Sequence, residues 1–184
     1  MSNQRIVTQQ GYMLLKSMVG KTIRYAYAPK LIISSQVIVP AHVSTKREGE
    51  RFFESLSISL KLKSSEEDDG FTIILPGLDA DIPDWTPLSI SHNAFPNVPK
   101  SIESCNYDSA ICAEGYSRIN CFPSSKIIKI SLLKFGLYAG IIFSHECGLD
   151  WCCYAEYDFQ FWFCFDQVMI RDLISASERQ QILT

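Results

Sequence analysis

The stretch "WCCYAEYDFQFWFCFD", Trp151–Asp166, decides the fold class. Its odd positions, Trp151, Cys153, Ala155, Tyr157, Phe159, Phe161, Phe163 and Phe165, are almost wholly apolar. Its even positions, Cys152, Tyr154, Glu156, Asp158, Gln160, Trp162, Cys164 and Asp166, mix acids with large aromatics. Side chains alternate between the two faces of a strand, so this pattern predicts one long β-strand with a dry face and a polar-aromatic one.

Similar signals flank it. "KIIKISLLKFG" and "LYAGIIFS" read as strands joined at Gly136, and Gly148 and Asp150 suit the turn into the next. Three strands with short links predict an antiparallel meander. Earlier, "TIRYAYA" and "LIISSQVIV" read as strands. "SLSISLKLK", Ser55–Lys63, alternates Leu56, Ile58, Leu60 and Leu62 against serines and lysines. The acidic "SSEEDDG" turns it into "FTIIL", giving a hairpin, apolar in and polar out.

Helices bracket the strands. "RIVTQQGYMLLKSMVG" places Ile6, Tyr12, Leu15 and Val19 on one face and ends at Gly20, with Gly11 weakening its middle. "DQVMIRDLISASERQQIL" reads as a closing helix capped by Asp166, with Met169, Ile170, Leu173 and Ile174 as its buried stripe. From about residue 76 to 125 the chain carries Pro76, Pro83, Pro87, Pro96, Pro99 and Pro123, six of its eight prolines. Proline removes a backbone donor and blocks helix interiors and central strands, which predicts an irregular excursion with a short helical turn over 98–105. The expectation is a single α+β domain over residues 1–184. It has a mainly antiparallel sheet, an N-terminal and a C-terminal helix and a long Pro-rich insertion.

Charge excludes some functions. The chain is 184 residues long with a net charge of −3, and its densest cationic run, "KREGER", is split by Glu48 and Glu50. Nucleic-acid affinity comes from neutralising phosphates, so nucleic acid is not expected as a partner. No run approaches the roughly 20 apolar residues of a membrane span, and "MSNQRIVTQQ" lacks the apolar core of a secretory signal. Cytoplasmic location follows as an expectation, with the seven cysteines reduced and packed as small hydrophobes.

Catalytic signatures are sparse. "HECGLDWCC" offers His145, Cys147, Cys152 and Cys153. Adjacent Cys152 and Cys153 face opposite sides of a strand. The metal alternative is therefore His145, Cys147 and Cys152, completed by Cys105, Cys112 or Cys121. The same residues allow a Cys147–His145 thiol enzyme, although Glu146 and Asp150 would raise a thiol's pKa. Asp79, Asp81 and Asp84 lack the closing ligands of a calcium loop, and His42 and His92 stand alone. No phosphate-cradling glycine loop, nucleophile elbow or zinc-deaminase pattern occurs, so neither a cofactor nor catalysis is expected.

The even face of the opening stretch remains. Tyr and Trp bring large contact area with few rotors to freeze, and carboxylates among them suit a cationic partner. This predicts a protein-binding site at Tyr154, Glu156, Asp158 and Trp162, with Asp150 and Asp166 at its ends. A competing reading roofs the face with the Pro-rich excursion. In overall make-up and in "YAEYDFQFWFCFD" the chain resembles the immunity proteins of bacterial toxin–immunity pairs. That resemblance implies an inhibitor, as monomer or homodimer, of a cytosol-acting and often basic toxin domain. It carries no family site across.

Overall fold

The structure is a computed structural model that describes residues 5–29, 32–34, 52–63, 70–77, 85–93, 111–112, 116–136, 138–156 and 160–184. In chain order the elements are α1 (Gln9–Met18), β1 (Thr22–Pro29), β2 (Ile32–Ser34), β3 (Phe52–Ser55), β4 (Ile58–Lys63), β5 (Phe71–Pro76) and β6 (Leu88–Asn93). They continue with β7 (Ile111–Cys112), β8 (Tyr116–Ile119), β9 (Ile127–Phe135), β10 (Tyr138–His145), β11 (Asp150–Glu156), β12 (Gln160–Cys164), α2 (Gln167–Ala176) and β13 (Arg179–Leu183). The strands form two sheets, ordered β6-β5-β4-β1-β8-β7 and β13-β9-β10-β11-β12-β3-β2. Every strand pairing among the described residues is antiparallel. The α+β reading with a helix near each end holds.

The sheets share one core. Ile58, Leu60 and Ile74 of the first meet Ile141, Phe143, Trp151, Phe161 and Phe163 of the second, and Leu15 and Met18 of α1 join them. Aromatic contacts stiffen this layer: Phe143 stacks on Trp151 at 4.2 Å between ring centres, and Phe53 stacks on Phe163 at 5.0 Å. Gly11 lets α1 settle on β6, because a Cβ there would stand 3.1 Å from the Ile90 side chain. The glycine that weakens the helix is the contact that docks it.

Four expectations need correction. The stretch 151–166 is not one strand. It folds into the β11–β12 hairpin, with Cys152 opposite Cys164 and Tyr154 opposite Trp162. The run 55–63 is broken where the chain crosses from one sheet to the other: Leu56 is exposed, and the Ser55 hydroxyl donates to the Pro29 and Ser57 carbonyls. The outer face of β4 is not simply wet. Lys61 is buried with its ammonium 5.0 Å from the centre of the Phe71 ring, which itself clusters with Tyr27 and Ile73. The last helix stops at Ala176, and Arg179–Leu183 pairs with β9 instead of continuing it.

The Pro-rich stretch is likewise more ordered than expected where it is described. Pro87 and Pro76 stand at strand ends, β6 completes the pairing of β5, and β8 pairs with β1. The expected helical turn over 98–105 lies outside the described residues.

Candidate functional site

Because β11 and β12 are paired two-for-two, the alternation read along the chain survives the turn between them. Of the odd set, Trp151, Cys153, Ala155, Phe161 and Phe163 enter the inter-sheet core, and Phe165 packs against it. The even set, Cys152, Tyr154, Trp162 and Cys164, points to the opposite side of the second sheet. That side is not open. The stripe Met169, Ile170 and Leu173 of α2 lies on it, joined by Leu133, Phe135 and Ile142, and makes a second core. Tyr154 is 1% exposed and Trp162 2%. The expectation that these two aromatics stand wet and reachable is therefore overturned, and among the described residues α2 covers them. The physical reason is apolar area: two large rings and two thiols offer α2 the surface its own stripe must bury. Phe135 meets Tyr154 edge-on at 5.7 Å.

The acids at the ends hold this lid in place. The Asp166 carboxylate accepts from the Val168 amide at 2.9 Å and from Met169 at 2.7 Å, capping α2. Gln167, the first helical residue, clamps Asp150: its amide nitrogen donates to the Asp150 carbonyl at 2.7 Å, and its amide oxygen accepts from the Asp150 N–H at 3.2 Å. Glu156 ends β11 opposite Gln160, with its side chain outside the described set, and Asp158 lies outside the described residues. The structure thus brings Tyr154 and Trp162 together as core, and Asp150 and Asp166 together as fastenings of a helix.

His145, Cys147 and Cys152 are not assembled. His145 closes β10 and is 1% exposed. Its Nδ1 lies 2.9 Å from the Ser125 carbonyl, and its buried Nε2 has no hydrogen-bond partner. Burial pushes its pKa down, against smaller upward effects from the Ser125 carbonyl and the Asp150 charge. The imidazole is therefore neutral, with Nδ1 carrying the proton towards Ser125. Cys147 sits exposed in the β10–β11 turn, which Gly148 closes with a φ of 83°. The Ser125 hydroxyl and the Leu149 backbone hold its thiol below the ordinary value, outweighing Asp150. This reverses the expectation that neighbouring acids dominate there. The His145 nitrogens nevertheless serve Ser125 and the core rather than Cys147, so a Cys–His catalytic pair is not formed.

Cys152 faces the second core, and no group of three His, Cys, Asp or Glu side chains among the described residues can hold a metal. Cys121 is exposed, with burial of part of its surface raising its pKa, while Cys153 is buried in the main core and its pKa is raised by desolvation. His92 lies at the exposed end of β6; Cys105, His42, Asp79, Asp81 and Asp84 fall outside the described residues, as does the Cys112 side chain.

Two features escaped the sequence reading. One is β13, an edge strand hidden inside an apparent helix. The other is a row of sulfurs: Cys152 Sγ lies 3.4 Å from Cys164 Sγ, which lies 3.7 Å from Met169 Sδ. The pairing of Cys152 with Cys164 left no signal in the sequence, where neither Gly nor Pro stands between β11 and β12. Compared with protein-family models, with curated proteins and with solved structures, the chain matches none of them.

Proposed function

We propose that this chain is a non-catalytic protein-binding module of the toxin-immunity kind, acting in the cytoplasm and engaging its partner along the β13 edge. The observation that carries the reading is that edge. β13 pairs with β9 on one side, in unbroken register from Arg179–Lys134 to Leu183–Ile130, and with no strand among the described residues on the other. Natural edge strands are blunted by lysines, prolines or bulges, because open N–H and C=O groups invite another chain to pair. Past Arg179, the run Gln180–Leu183 carries no charge, proline or bulge, and Gln180, Gln181 and Ile182 are exposed, Ile182 at 54%. An extended segment of a partner added there gains backbone hydrogen bonds, with Ile182 as a side-chain anchor. The net charge of −3 favours a basic partner, and no helix among the described residues is long and apolar enough to cross a membrane.

The test uses a tagged chain purified from its native cell with photo-crosslinkers at Gln181 and, separately, at Glu156. A partner crosslinked from Gln181 and weakened at least about tenfold by Ile182→Lys, a gatekeeper charge on the edge, is the expected result. A partner captured only from Glu156, and lost on Glu156→Lys with Asp158→Lys, moves the site to the β11–β12 hairpin and rejects the edge. A chain that crosslinks from neither position rejects the binding-module reading.

A further inference from the structure

The second core holds a group of sulfurs that packs beneath α2, that the proposed docking edge does not use, and whose chemistry goes beyond packing. Cys152 and Cys164 face each other across β11 and β12, and Met169 enters from the first turn of α2, so the Cys164 sulfur lies 3.4 Å from Cys152 Sγ and 3.7 Å from Met169 Sδ. All three residues are almost fully buried. One step along the same face stands Trp162, whose buried Nε1–H has no acceptor. A neutral thiol is a weak acceptor, whereas a thiolate sulfur is a strong one.

We infer that Cys152, Cys164 and Met169 form a buried site for a single soft monovalent d10 ion, copper(I). Soft thiolate and thioether ligands select copper(I), which accepts two or three sulfurs, whereas structural zinc requires four ligands. Only these three sulfurs are offered, with no fourth ligand in a metal-binding group among the described residues. The spacing is close to that required. Sulfurs about 2.3 Å from a first-row d10 ion in a trigonal plane stand about 4 Å apart, so the Cys152–Cys164 and Cys164–Met169 separations need open by only a few tenths of an ångström. Binding exchanges two thiol protons for one copper(I), leaving a bis-thiolate centre of net charge −1 and no change of oxidation state.

Two features offset that buried charge. Met169 is the third residue of α2, so the positive end of the helix dipole faces the centre, although Asp166 already accepts from two of its amides. A thiolate at Cys164, two residues along the same face, would offer an acceptor to the unpartnered Trp162 N–H. Burial opposes the exchange, because it disfavours charged sulfur. Affinity must therefore rise with pH, because binding releases protons.

Anaerobic titration of the full-length, reduced protein with copper(I), against a chromophoric copper(I) chelator, tests this. The expected result is one tightly held copper(I) with sulfur-to-copper charge-transfer absorption in the near ultraviolet. It should persist in a Cys121→Ser, Cys147→Ser variant, which removes the exposed thiols, and tighten as pH rises. Cys152→Ala and Cys164→Ala should each abolish it. Since those buried changes endanger folding, Met169→Leu and Trp162→Phe, which keep the packing, give a second reading. Met169→Leu should weaken retention, and Trp162→Phe should weaken it about tenfold, as loss of an outer-shell hydrogen bond does. No copper retained at one equivalent, copper lost with the exposed thiols, or retention indifferent to Met169→Leu would each overturn the site.

Discussion

Truncation of Trp162 separates a docking face from a second core. Trp162 is 2% exposed beneath α2, against Tyr154, Met169 and their neighbours. Trp→Ala in a core costs about 3–5 kcal/mol, through lost transfer energy and the cavity left behind. One term runs the other way: the unpartnered Nε1–H already carries a desolvation penalty of about 1–3 kcal/mol, which truncation removes. The net expectation for Trp162→Ala is therefore about 2 kcal/mol of destabilisation. With a urea slope of about 2 kcal/mol/M for a domain of this size, the midpoint falls by about 1 M. Trp162→Phe removes the orphan donor while keeping a large ring, and should stay within about 1 kcal/mol of the parent. Urea unfolding followed by far-ultraviolet circular dichroism measures both without relying on the indole. If Trp162→Ala leaves the midpoint where it was, the ring is solvated and the helix does not cover it. If Trp162→Phe costs as much as Trp162→Ala, the indole N–H has a partner and the account of this core is wrong.

Three further outcomes follow from the same packing. Asp166→Ala removes the acceptor for two amides and should cost about 1–2 kcal/mol in urea unfolding, while Asp166→Ser, another good cap, recovers most of it. His145 has a folded pKa below its unfolded value. The unfolded chain therefore binds the extra proton first, and stability falls as pH drops from about 6.5 towards the folded pKa. Thermal melts across pH 5–8 should show a shallower loss on the acid side in His145→Asn, whose amide can still donate towards Ser125; identical slopes in parent and variant reject the assignment. Cys147 should alkylate fastest of the described cysteines, and Ser125→Ala should slow it near neutral pH by raising the thiol's pKa, whereas Cys152, Cys153 and Cys164 should resist until the chain unfolds. An unchanged Cys147 rate in Ser125→Ala, measured by mass spectrometry, removes the hydroxyl from the account.

Much of the fold was legible because alternation is a local signal. The faces of β11 and β12 were read correctly although they were taken for one strand, since pairing Cys152 with Cys164 and Tyr154 with Trp162 preserves the parity of every position. The turn between them was not legible, because neither Gly nor Pro punctuates residues 157–159. β13 was missed for a related reason. Arg179–Leu183 has little intrinsic strand preference, and its partner β9 lies more than forty residues away in the chain. The site reading failed at one step. Acids beside aromatics were taken as a surface pattern, yet the same sequence also supplied an amphipathic helix needing an apolar seat, and no local signal shows where a helix docks. The two facts belong together. Asp166, at the end of the aromatic stretch, caps the helix that covers it, and Gln167 fastens that helix to Asp150, where the stretch begins. A carboxylate at the close of an aromatic strand and before an apolar stripe is thus first a helix cap, and the face preceding it is first a seat for that helix. Among the described residues, the outer edge of β13 is a surface that no such local partner claims, which is why the proposed docking site lies there.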